Sequence, residues 1–221
     1  MSKPLFIFEM ANNHMGDTAH GVAIIRAIRE ACEGFDAFDF AFKLQYRDLD
    51  TFIHSSFKGR DDVKYVKRFE ETRLSQAEFQ TLINAMRECA FKTVCTPFDE
   101  KSVDLIEAQG IEVIKIASCS LTDWPLLERI ARSDKPIVAS TAGATPEEVD
   151  NVVSFFQHRN NDLTLMMGAA IELAQHEVDA HAAPLMEVAG AIVPPAEQLA
   201  LRVVLAEQIG EAPGLQRGEL G

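Results

Sequence analysis

Short apolar runs and amphipathic segments take turns along the first three quarters of this sequence, and that alternation constrains the fold more than any other feature. Residues 5–10 form an apolar run of strand length, and residues 18–34 follow with helical spacing (Val22, Ile25, Ile28) up to Gly34. Residues 37–45 are apolar again. A polar excursion then runs from Arg47 to Arg73, too charged for core and long enough to be a functional loop. Ser75 with Glu78 three residues on is a capping-box pattern, predicting a helix to about Phe91. Strands are then predicted at 93–96, 112–117, 136–140 and 163–166, with helices at 100–109, 123–132 and from Thr145 onward, where Pro146, Glu147 and Glu148 make a favourable first turn. Such a run of strand–helix units with short connections implies a parallel sheet, either a barrel or a doubly wound sheet.

Polar residues gather where each predicted strand ends: Glu9 and Asn12-Asn13-His14, Lys43 and Gln45, Thr96 and Asp99, Lys115 and Ser118, Ser140-Thr141. In a (β/α) barrel all these ends open on one face, where active sites sit, whereas a doubly wound sheet gathers only some of them at its switch point. The barrel is therefore the expected α/β architecture. No G-x-G-x-x-G or Walker pattern follows a strand, which weakens nucleotide binding. From Gln157 onward there is no aromatic residue, and no lysine follows Lys135. The expected organisation is a TIM-type barrel portion over residues 1–166, about six β/α units, and an alanine-rich, mainly helical segment over 167–221, with its clearest helix at 195–209. Since a complete barrel takes about 250 residues, this one is expected to be incomplete.

Composition narrows the partners. Of 221 residues, 47% are hydrophobic and 25% charged, which are globular proportions, and the net charge is −13. An acidic chain is a poor match for nucleic acid or an anionic membrane, though a few local lysines can still hold a small anion. Cys32, Cys89, Cys95 and Cys119 show neither a C-x-x-C pair nor metal spacing, and are read as buried free thiols in a reducing compartment. No stretch reaches the roughly 20 apolar residues of a membrane helix, and the run at 4–8 is too short for a signal sequence. A cytoplasmic protein is expected.

At its strand ends the sequence resembles the N-acetylneuraminate (sialic acid) synthase family. Residues 9–16, Glu-Met-Ala-Asn-Asn-His-Met-Gly, resemble that family's E-I-G-x-N-H-x-G opening, and Lys43-Leu44-Gln45 its K-F-Q. Thr96-Pro97-Phe98-Asp99 matches T-P-F-D, Lys115-Ile116-Ala117-Ser118 matches K-I-A-S, and Ser140-Thr141-Ala142-Gly143 resembles S-T-G-M. The resemblance implies a (β/α)₈ barrel that condenses phosphoenolpyruvate with an N-acetylated aldose, N-acetylmannosamine or a related sugar, and releases phosphate. It implies Glu9 and Lys115 as catalytic candidates and Lys43, Gln45, Asn13, Thr96, Ser118 and Ser140 as substrate-binding ones. Glu9 and Gln45 would face the sugar, and the lysines and hydroxyls would cradle the phosphate and carboxylate. It also implies a divalent metal, Mn²⁺ or Mg²⁺, polarising the aldehyde.

The departures are specific. Where the family carries a metal-binding histidine after its sixth strand, this chain reads Met166-Met167-Gly168; the second metal histidine and the antifreeze-like domain have no counterpart either. Two further readings stay open: a fragment or pseudoenzyme that keeps an anion site, and a Schiff-base aldolase using Lys115 or Lys43. His14 is read as propping its loop. His176, Asp179 and His181 are read as solvated helix rather than a metal set. The charged run from Lys58 to Arg73 is read as a solvated excursion or lid, with no role for Asp61 or Asp62. Exposed strand edges in an incomplete barrel predict self-association, as a homodimer.

Overall fold

The computed structural model describes residues 3–166 and 204–206. Six parallel strands carry the alternation: β1 (Leu5–Glu9), β2 (Asp39–Tyr46), β3 (Lys92–Pro97), β4 (Val113–Ile116), β5 (Ile137–Ser140) and β6 (Leu163–Met166). Between them lie α1 (Thr18–Ala31), the short α2 (Leu49–Phe52) and α3 (Lys64–Glu71), α4 (Gln76–Glu88), α5 (Glu100–Ala108), α6 (Trp124–Ala131) and α7 (Pro146–Gln157). Helix starts form where capping side chains allow. Asp17, Asp99 and Asp123 each accept a backbone N–H, and Ser75 with Glu78 and Thr145 with Glu148 close complete capping boxes. Helix α4 stops at Glu88, short of Phe91, because Ala90 turns to a positive φ of 57°.

The order of the strands separates the two candidate architectures. They lie as β6-β5-β4-β3-β2-β1, with no reversal. A doubly wound sheet reverses at its switch point and places helices on both faces. Here every crossover steps the same way, and right-handed crossovers then put every helix on one face. Packing agrees. Phe6, Phe8, Phe42 and Ile114 belong to one core with Ile25, Leu82 and Leu127 of the helices. The opposite face has a separate cluster made only of strand residues: Ile7, Ala41, Val94, Val113, Val138 and Met166. This is a curled half-barrel, with helices outside and an apolar layer inside.

A seventh strand, β7 (Val204–Ala206), pairs antiparallel with β1, Leu5 opposite Ala206 and Ile7 opposite Val204. The spacing over 195–209 predicts helix, so these three residues correct that reading. The run Val203-Val204-Leu205-Ala206 is too short for periodicity to tell strand from helix, and a nonlocal partner decides. His176, Asp179 and His181, with most of the predicted C-terminal helix, lie outside the described residues. The excursion also differs from a plain loop, since it folds α2 and α3 with a 3₁₀ turn at Ser55–Phe57 between them.

Candidate active site

Side chains alternate along a strand, so the inner face can be read two residues at a time. One step beyond the apolar layer toward the strand ends, the inward positions are Glu9, Lys43, Thr96, Lys115 and Ser140. Register brings them together: Glu9 is directly opposite Lys43, and Gln45 opposite Thr96. The Lys43 ammonium is ion-paired to Glu9 Oε2 and lies 3.4 Å from Thr96 Oγ1. Glu9 Oε1 accepts the Ala11 N–H at 3.0 Å. Lys115 donates to the Ile116 carbonyl at 2.7 Å, and among the described residues it has no carboxylate partner. Glu9, Lys43 and Lys115 are all less than 9% exposed. Of the two buried lysines, only Lys43 has a carboxylate, an arrangement that leaves the layer short of negative charge.

That shortage shows on Lys115. Burial pulls its ammonium down to about 7, the Lys43 charge pushes the same way, and Glu9 opposes both. The other expected residues are more scattered. Ser140 is half-buried at the end of β5, Ser118 is exposed in a 3₁₀ turn after β4, and Gln45 is half-buried near the end of β2. Asn13 is enclosed in the turn after β1, and neither its amide nitrogen nor its oxygen finds a partner among the described residues. His14 props this loop: its Nδ1 accepts the Gly16 N–H at 3.1 Å, and burial holds it down to about 4, with His20 adding to the shift and Glu78 opposing it. Of the thiols, Cys32 and Cys95 are buried and Cys89 is half-buried. Cys119 is exposed, which corrects the reading of all four as buried.

Sequence reasoning missed Arg47, taking it as the start of the excursion. It continues the inward series Lys43, Gln45, Arg47 and packs on Phe98, which follows Thr96 in the same way. That two-residue step was the signal. Gln45 and Arg47 line a cavity of about 640 Å³ together with Asn12, Phe69, Thr72 and Phe79. Glu9, Lys43 and Lys115 do not line it.

The described residues do not fit a divalent metal. Among them, no three His, Cys, Asp or Glu side chains converge. Glu9 is engaged by Lys43 and Ala11, and His14 spends Nδ1 on its own loop.

The fold and the site thus define a (β/α)-barrel protein with two buried lysines and one carboxylate at its strand ends. The NeuB family matches residues 28–171, more than half the chain, and this chain belongs to that family. It is similar to the crystal structure of a putative spore coat polysaccharide biosynthesis protein E from Chromobacterium violaceum, at 61% identity over 86% of this chain and 63% of that one, with a TM-score of 0.74. It is 25% identical to spore coat polysaccharide biosynthesis protein SpsE of Bacillus subtilis, over 74% of this chain and 43% of that structure, TM-score 0.55. It is 27% identical to the N,N'-diacetyllegionaminic acid synthase of Campylobacter jejuni, covering 70% of this chain and 47% of the relative. The chain spans about half the length of the curated relatives it matches, 46% and 47% for two of them. Among the described residues, no helix is long and apolar enough to cross a membrane.

Proposed function

We propose that this chain binds phosphoenolpyruvate at the inner strand-end layer and condenses it with an N-acetylated aldose to give a sugar acid. The observation that carries the reading is the pair of buried lysines, Lys43 and Lys115, set in a layer whose one described carboxylate, Glu9, is already paired with Lys43. Bringing in the anionic phosphate and carboxylate supplies the negative charge this layer lacks, and hydrogen bonds to charged groups are about twice as strong as neutral ones. Thr96 and Ser140 add hydroxyl donors from β3 and β5, and Ser118 adds one from the turn after β4.

In the proposed reaction, C3 of the enolpyruvate forms a bond to the aldehyde carbon and the aldehyde oxygen takes up a proton. Water then adds at C2, and phosphate leaves with the C–O bond electrons. Glu9 has a second lone-pair direction free on each oxygen, so it can hold Lys43 and still accept from a sugar hydroxyl. Lys115, about half protonated at neutral pH when the site is empty, becomes fully an ammonium when the phosphate arrives.

Phosphoenolpyruvate at a hundred times its dissociation constant stabilises a folded protein by about 2.7 kcal/mol, a rise of several degrees in a thermal melt. The expected result is such a rise in the purified chain, lost in Lys115→Ala, with phosphate released only when N-acetylmannosamine or a related sugar is also present. No response to phosphoenolpyruvate overturns the reading and favours a fragment that has kept the fold alone.

One observation favours a second reading. A Schiff-base aldolase also needs an amine with a substantial neutral fraction near pH 7, and Lys115, held down to about 7, is about half neutral there. Borohydride trapping with pyruvate separates the two, since only an imine leaves a reduced adduct on Lys115.

A further inference from the structure

Arg47 follows the last residue of β2, and its guanidinium is caged by aromatic rings from three segments. Its carbon stands 3.9 Å from the centroid of Phe98, 4.5 Å from that of Phe69 and 6.0 Å from that of Phe52. Phe98 follows β3, Phe69 belongs to α3, and Phe52 ends α2. Among the described residues, no carboxylate pairs with Arg47. Among them its one side-chain hydrogen bond runs from Nη2 to Gln45 Oε1 at 2.8 Å, and its Nε–H is enclosed without a described partner.

The donor inventory makes this contact directional. A guanidinium carries five N–H groups and no acceptor, so the edge of the Gln45 amide that faces it must be the carbonyl. The NH₂ edge is thereby turned away, and among the described residues it meets no partner. Ring stacking fixes the plane of the guanidinium, which in turn fixes the plane of the amide.

We propose that Arg47 is a positioning residue, acting through Gln45: it fixes the side-chain amide so that an NH₂ donor, not a carbonyl, is presented to the acceptor sugar. This rests on the synthase reading, in which Gln45 faces the sugar. Two of the three caging rings come from the excursion, so the seating of α2 and α3 and the orientation of this amide are one event. A sugar oxygen acting as acceptor suits the site, whereas a donor group in its place meets the NH₂ head-on. Lysine cannot substitute, because an ammonium has neither the plane to stack nor the fork to lock the amide.

The test uses the full chain and two independent readouts. In steady-state phosphate release with N-acetylmannosamine as probe, Arg47→Met is expected to raise the sugar KM roughly tenfold, the effect of one lost hydrogen bond, while the phosphoenolpyruvate KM stays within about twofold. Arg47→Lys gives the same loss. Because Arg47 acts only through Gln45, the double variant Arg47→Met/Gln45→Ala has the sugar KM of Gln45→Ala alone. Effects that add overturn the proposal, as does an equal rise in both KM values. The second readout needs no turnover. The Gln45 side-chain NH₂ resonances, assigned by their loss in Gln45→Ala, are expected to be shifted and protected in the wild-type chain and to collapse to averaged positions in Arg47→Met and Arg47→Lys. A wild-type chain that neither binds phosphoenolpyruvate nor releases phosphate refutes the synthase reading, and the resonances then decide the positioning on their own. Unchanged resonances in Arg47→Met refute it.

Discussion

Lys115 offers a quantitative check on the charge distribution of the site. Its ordinary value is 10.5, and burial, with the Lys43 charge beside it, holds it down to about 7 in the folded chain. Between those two pH values the unfolded chain binds one more proton than the folded chain, so stability rises with pH across that window and is flat below it. The full span corresponds to about 5 kcal/mol at 1.36 kcal/mol per unit. A practical window is about pH 7 to 8.5, below the range where buried thiols such as Cys32, with an ordinary value of 9.0, begin to oppose the effect. Over that window the Lys115 contribution rises by about 1–2 kcal/mol. The assay is urea unfolding of the wild-type chain and of Lys115→Met at both pH values. The expected wild-type minus variant difference grows by that amount as pH rises. A difference that stays flat within about 0.5 kcal/mol, or that shrinks, refutes the account of a desolvated lysine without a counterion.

Two further outcomes follow from neighbouring geometry. Lys43→Met strands the buried Glu9 carboxylate and is expected to cost about 3–5 kcal/mol in urea unfolding, whereas Glu9→Gln/Lys43→Met removes both charges and costs less than the single change; a double variant as unstable as the sum of its parts would contradict a paired site. Gly16 has a φ of +74°, and a Cβ there would meet the Glu71 carbonyl oxygen at 2.8 Å, while Gly34 has a φ of +84° with nothing within 4 Å. Gly16→Ala should therefore exceed Gly34→Ala in cost, the latter losing only about 1 kcal/mol of backbone strain, and equal losses would show that the first loop and α3 are not packed as described.

Local signals were the most legible. The capping residues of α4 and α7, the strand at Leu163–Met166 and the polar tips of five strands could be read because each depends on residues within a few positions of one another. The barrel was inferred from those tips, and strand order confirms it, although no stretch of sequence states that order. What stayed hidden depends on distant partners. Arg47 looks like the start of a solvated loop until Phe52, Phe69 and Phe98 close around it. Val204–Ala206 is helical by its apolar stripe until β1 offers an edge. The exposure of Cys119 follows from its place in the turn Ser118–Ser120, which composition alone does not reveal.

The fold and the site are joined by one repeated spacing. On five successive strands an inward apolar residue is followed two positions later by an inward polar one: Ile7 and Glu9, Ala41 and Lys43, Val94 and Thr96, Val113 and Lys115, Val138 and Ser140. The first members form an apolar floor, and the second members rest on it. Because the floor keeps water from beneath, the charges above it are desolvated from one side, which strengthens Glu9–Lys43 and depresses Lys115 in the same stroke. Because strand periodicity is two, slipping any one strand by a single residue would bury its polar member among the helices and turn an outward residue, such as Phe8, Phe42, Cys95, Ile114 or Ala139, into the site. The contacts that stabilise the barrel therefore also hold the register of the charged layer, and β7 respects it. Its three described residues pair with Leu5, Phe6 and Ile7 and cover that part of the edge of β1.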